Sequence, residues 1–137
     1  MPSSASSASS TGPTGSAKSA GFVDWTRVPF KNLFPGIRAQ LVPGEKLMLA
    51  RVHLEPNGIV PEHDHPHEQF GFIVEGEVDF TIDGETRHLG PGDYYAIPGG
   101  VRHSVNVGPR PAIALDIFSP PRDDYLALPD APNARGA

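Results

Sequence analysis

A chain of 137 residues has material for one ordinary hydrophobic core. Its net charge of −5 and pI near 5.6 leave no basic face for phosphates, which excludes nucleic acid and anionic membrane surfaces as partners held by bulk electrostatics. No apolar run approaches the roughly 20 residues of a bilayer span, and the absence of cysteine excludes disulfides and thiolate ligands, a composition that fits a cytoplasmic protein.

Residues 1–20 are almost wholly Ser, Ala, Gly, Thr and Pro, with Lys18 the charged side chain among them. Such a stretch buries too little apolar surface to offset its ordering entropy, and it lacks the apolar run of about 7–15 residues of a secretory signal. A disordered tail over 1–21 is expected, followed by one domain over 22–126 and a loosely ordered tail over 127–137. Within the domain no segment holds a 3.6-residue apolar period for the roughly 10–12 residues a helix needs. Short extended runs broken by Gly and Pro predict an all-β fold, with strands at 46–54, 69–74, 77–82, 94–97, 104–107 and 112–118. Asp83-Gly84, between alternating Val78, Phe80, Ile82 and the polar run 85–88, is the strongest hairpin signal. So many short strands in so small a chain point to a sandwich or closed barrel, which removes exposed edges.

Three of the six histidines fall in Glu62-His63-Asp64-His65-Pro66-His67-Glu68-Gln69. In an extended chain, residues two apart project to one face, so His63 and His65 can converge. Imidazoles without thiolate suit Zn, Ni, Fe, Cu or Mn, whereas the bland alternative is a solvated polar loop. His67 and Glu68 are rival ligands, because His67 shares the parity of His65 unless Pro66 turns it away. His53 alternates with Arg51 and Glu55 on one side of its strand, either at a barrel mouth or on a solvated face. His88, after the hairpin, reads as a surface residue.

Further on, Gly92, Pro98, Gly100, His103 and Asn106 follow with spacings of five, one, two and two residues, which puts His103 forty residues after His63. Together with His63, His65, Gln69 and Gly76, this resembles the two motifs of the cupin superfamily, over residues 25–125. The resemblance implies a single-domain jelly-roll β-barrel that binds one divalent metal ion (Zn, Ni, Fe or Mn) through His63, His65, Gln69 and His103. Two departures stand out: the usual Glu is Gln69, and the second motif is one residue shorter between His103 and Asn106. A neutral amide leaves the ion more of its charge, making it a stronger Lewis acid that is held less tightly.

In Ala112-Ile113-Ala114-Leu115-Asp116-Ile117-Phe118 the branched residues share one face, leaving two Ala, Asp116 and Phe118 on the other, as for a lined cavity. A buried Asp116 needs a partner, with a metal site or Arg122 as candidates. The run from Asp116 to Tyr125 is similar to the small cupins of pectin and alginate breakdown that linearise unsaturated uronates. That similarity implies activity for Asp116, Phe118 and Arg122 beside a three-His, one-Gln metal. Asp116 would be general base or acid, Arg122 would grip a substrate carboxylate, and Phe118 would shape the pocket. The expected function is thus a metal-dependent isomerase or lyase acting on a small oxygenated anion, an unsaturated uronate first. A metal-dependent dioxygenase, a natural-product tailoring cupin and a non-catalytic small-molecule-binding cupin are the alternatives, and a homodimer is expected.

Overall fold

The computed structural model describes residues 20–132. The expected N-terminal tail, up to residue 19, and positions 133–137 lie outside the described residues. A 3-10 turn, Trp25–Arg27, is followed by ten strands: β1 (Phe30–Phe34), β2 (Ile37–Pro43), β3 (Met48–Leu54), β4 (Ile59–His63), β5 (Glu68–Glu75), β6 (Val78–Ile82), β7 (Glu85–Leu89), β8 (Tyr94–Ile97), β9 (His103–Val107) and β10 (Ala112–Ser119). One helical turn, α1 (Asp123–Leu126), follows β10. The strands form two antiparallel sheets, one of six in the order β1-β2-β3-β10-β5-β8 and one of four in the order β4-β9-β6-β7.

Period-two alternation explains how the sheets face each other. Along β3, Met48, Ala50, Val52 and Leu54 are buried while Leu49, Arg51 and His53 are only half-buried. Along β10 the small and polar face, Ala112, Ala114, Asp116 and Phe118, points inward, and the branched Ile113, Leu115 and Ile117 point outward. This inverts the usual economy of a strand, in which the largest aliphatics are buried. Small inward residues leave room inside the barrel beside Asp116. The Asp83-Gly84 hairpin joins β6 to β7 in register, Ile82 opposite Glu85, with both turn residues at positive φ as a type I′ turn demands.

Three strands go beyond the sequence reading. β1 and β2 form a hairpin through Pro35-Gly36, where Gly36 takes φ +77°. β4 contains Pro61, which normally argues against a strand. Pro61 sits within the register irregularity between Val60 and His63, where its missing N–H breaks no ladder bond. Residues 127–132, expected as a loose tail, are tied to β1. Lys31 Nζ donates to Leu128 O at 2.6 Å and pairs with Asp130 at 3.0 Å, and Ala131 N donates to Phe30 O at 2.6 Å.

Candidate metal centre

His63 closes β4, His65 lies in the loop that follows, Gln69 is the second residue of β5 and His103 opens β9. His63 and His103 are directly opposite in the β4–β9 ladder. The loop carrying His65 is held by the turn after β8. Gly100 N donates to His65 O at 2.8 Å, and a Cβ at Gly99 would collide with the Pro66 carbonyl oxygen. Glycine is thus required there by close approach, not by flexibility. One ligand atom from each of His63, His65 and His103 lies within 4.8 Å of the others, a group that can hold a metal ion.

The protons identify which nitrogens face inward. His63 Nδ1 donates to Pro61 O at 2.7 Å, His65 Nδ1 to His67 O at 3.0 Å and His103 Nδ1 to Val101 O at 2.9 Å. A carbonyl oxygen only accepts, so each Nδ1 is the protonated nitrogen and each neutral ring presents a lone pair at Nε2. Burial pushes His65 down to about 4 and also lowers His103, with Arg122 adding to both shifts, so these two rings are neutral at pH 7. His103 Nε2 is buried with no hydrogen-bond partner. Gln69 Oε1 lies 3.0 Å from His65 Nε2, so two acceptors face each other with no proton between them. A cation among these atoms resolves that conflict and the orphaned nitrogen together. The donor set of imidazole nitrogen and amide oxygen therefore fits a divalent Zn, Ni, Fe or Mn ion.

Asp116 and Gln69 are buried beside this group. The partner of Asp116 is Tyr95, whose hydroxyl donates to Oδ1 at 2.5 Å, and Gln69 is its diagonal neighbour on the inner face of β5 and β10. Burial raises the Asp116 carboxyl to about 6, although Tyr95, Gln69 and Arg122 all pull it down. Arg122 is buried too, but its ion pair is with Asp124: Nε reaches Oδ1 at 3.0 Å and Nη2 reaches Oδ2 at 2.8 Å. Its guanidinium lies 3.7 Å from the Tyr125 ring centre and 5.1 Å from that of Phe118. Nη1 is buried without a partner. Phe118 meets His65 edge-on, with ring centres 5.7 Å apart.

The rivals stand elsewhere. Glu68 is exposed, out of phase with the inward Gln69, Gly71 and Ile73 of β5. The His67 ring lies 5.6 Å from that of His65 and does not join the three-His group. His53 is on the outer face of the six-stranded sheet, donating from Nε2 to Gln40 Oε1 at 3.2 Å. His88 is an exposed surface residue bonded to Asp79 and Glu77. A narrow cleft, open to solvent, runs from this site into the barrel and is lined also by Leu33, Phe34, Val60 and Tyr125. Sequence reasoning missed Tyr95, Leu33 and Phe34. The Pro35-Gly36 turn was the available signal for the last two.

The cupin domain pattern matches residues 50–118, which include all four of the clustered side chains. The pectin degradation protein KdgF of Dickeya dadantii is 31% identical over 107 residues, spanning 77% of this chain and 96% of that protein. Among solved structures, KdgF from Halomonas sp. superposes with a TM-score of 0.72 at 29% identity, covering 77% of this chain and 98% of that one. An RmlC-like cupin from Shewanella frigidimarina gives 0.73 at 28% identity, covering 79% and 97%. With two sheets closing on a three-His group and both histidine motifs inside the matched span, the chain belongs to the cupin family.

Proposed function

We propose that this protein is a metal-dependent enzyme of the isomerase or lyase kind that opens or tautomerises a small oxygenated anion, with an unsaturated uronate as the leading substrate. The observation that carries this reading is the convergence of three Nε2 lone pairs on one point beside a buried carboxylate and an arginine with a free buried N–H. The likeness to two KdgF proteins, one of them described as a pectin degradation protein, supports the substrate class.

In this reading His63, His65, Gln69 and His103 hold one divalent ion, which when bound supplies Lewis acidity toward a substrate oxygen. Asp116 moves the proton. Raised to about 6 by burial, its carboxyl sits near enough to neutrality to take a proton and return it. Arg122 binds the substrate carboxylate through Nη1, while Asp124 on the opposite edge holds the guanidinium in place. Phe118 fills the wall between them. The same reading makes the protein a cytoplasmic homodimer. Phe70, Phe72, Val74, Leu115, Ile117 and Tyr94 form an apolar outer face on the six-stranded sheet, with Phe70 half exposed and Tyr94 more so.

The test is to supply metal-loaded protein with the 4,5-unsaturated uronate released from pectin or alginate by β-elimination. Loss of the ultraviolet absorbance of its conjugated enol ether, under strict anaerobiosis, is the expected result. A reaction that stops when oxygen is removed would instead identify a dioxygenase, and no reaction on any unsaturated uronate would refute the substrate class.

A further inference from the structure

Gln69 raises a question of orientation that the metal reading alone does not answer. An amide can be turned either way, and with its NH2 toward His65 it would donate to the Nε2 lone pair and block that ligand. The opposite orientation is adopted here, with Oε1 at 3.0 Å from Nε2. Asp116 decides between them. The two buried side chains are diagonal neighbours on the inner face of β5 and β10, and a carboxylate that only accepts attracts the Gln69 NH2 and repels the amide oxygen. The pairing also explains why an amide stands at position 69. A glutamate there would confront Asp116 with a second buried carboxylate.

Asp116 is itself held from two strands away. Tyr95 on β8, Gly71 on β5 and Asp116 on β10 are successive partners in one row across the sheet. Tyr95 reaches Asp116 over the middle strand because Gly71 has no side chain. A Cβ at Gly71 would collide with Asp116 Oδ1 and lie 2.7 Å from both the ring and the hydroxyl of Tyr95. The Tyr95 ring is fixed in turn against Phe80, with centres 4.3 Å apart.

We propose that Tyr95 and Gly71 are positioning residues of the metal centre: Tyr95, crossing the gap at Gly71, anchors Asp116 so that its carboxylate presents the Gln69 carbonyl oxygen to the three histidines. This rests on reading the three-His group as a metal site. The probe is Zn2+ affinity of the full chain, measured by competition with a chromophoric chelator. Tyr95→Phe keeps the ring and removes the hydroxyl, and it should weaken Zn2+ binding about 10-fold, as loss of an outer-shell partner does. In a Gln69→Ala background there is no amide to orient, so the same substitution should then change affinity less than 2-fold. Val107→Ala, a core truncation in β9 away from the site, should leave affinity unchanged.

An equal loss from Tyr95→Phe in both backgrounds would mean a merely structural role and overturn the proposal, as would unchanged affinity in the native background. Should Tyr95→Phe fail to fold, Gly71→Ala attacks the same contact from β5 and must show the same dependence on Gln69. Wild-type protein that binds no Zn2+ overturns the metal reading along with this inference. Tight binding that ignores Tyr95 and Gly71 overturns the inference alone.

Discussion

Replacing Asp116 by Asn in the metal-free protein should change how stability responds to pH. The carboxyl is buried, and its proton is held to about 6 in the folded chain against 3.8 for an ordinary aspartate, chiefly because burial disfavours the charge. Between these values the folded state binds more protons than the unfolded one. The favourable contribution is therefore complete below 3.8 and is lost as pH rises through about 6. At ~1.4 kcal/mol per pH unit, the displacement is worth roughly 3 kcal/mol. Other groups titrate in the same window, and His65 acts with the opposite sign, so the comparison is between wild type and variant at each pH. Urea unfolding in the presence of a chelator should show the wild type losing up to about 3 kcal/mol relative to Asp116→Asn between pH 3.5 and 7.5, on the order of 1.5 M in midpoint. Parallel stability curves for the two proteins would refute the burial argument.

Zn2+ at about 100 times its dissociation constant should stabilise the fold by roughly 2.7 kcal/mol and raise Tm by about 10 °C. His103→Ala should abolish that shift, and a variant that keeps it would remove His103 from the ligand set. Arg122→Lys replaces the fork that Asp124 grips with a point charge, so KM for a carboxylate substrate should rise at least about 10-fold with a smaller change in kcat; unchanged KM would show that Nη1 does not bind substrate. Phe70→Lys, placed in the outer apolar face, should convert a dimer to a monomer by light scattering without lowering Tm of the monomeric fold. A wild type that is already monomeric would contradict the homodimer.

The three-His group was legible because its determinants are largely local. His63 and His65 share a chain segment, and Pro98, Gly99 and Gly100 form the turn that delivers His103, whose spacing is what carried the resemblance to the second cupin motif. The inward direction of Asp116 followed from parity along β10, where small residues alternate with branched ones. Its partner did not follow. Tyr95 finds Asp116 through the register of three strands and the missing side chain of Gly71, and register between distant strands leaves no mark in a single sequence. Arg122 was one of two candidate partners for Asp116, beside a metal site, yet the carboxylate two residues along the chain, Asp124, claimed two of its donors. β4 was hidden by Pro61, whose rule against strands holds for regular ladders and fails at an irregular one.

The three hydrogen bonds from Nδ1 to main-chain carbonyls have a consequence for how freely this scaffold can be altered. Each carbonyl belongs to a residue two positions from its histidine: Pro61, His67 and Val101. The tautomer of each ring is therefore set by the path of the chain, while Phe34 packs on the His63 ring and Phe118 on that of His65. Substitutions at Leu33, Val60 or Tyr125, none of which packs on a histidine ring of the group, can reshape the cleft for a different molecule while the main-chain carbonyls keep the imidazoles aimed. On the proposed reading, holding a metal and choosing a substrate are largely separable tasks of this barrel, and they meet where Gln69 adjoins Asp116 and where Phe118 packs on His65.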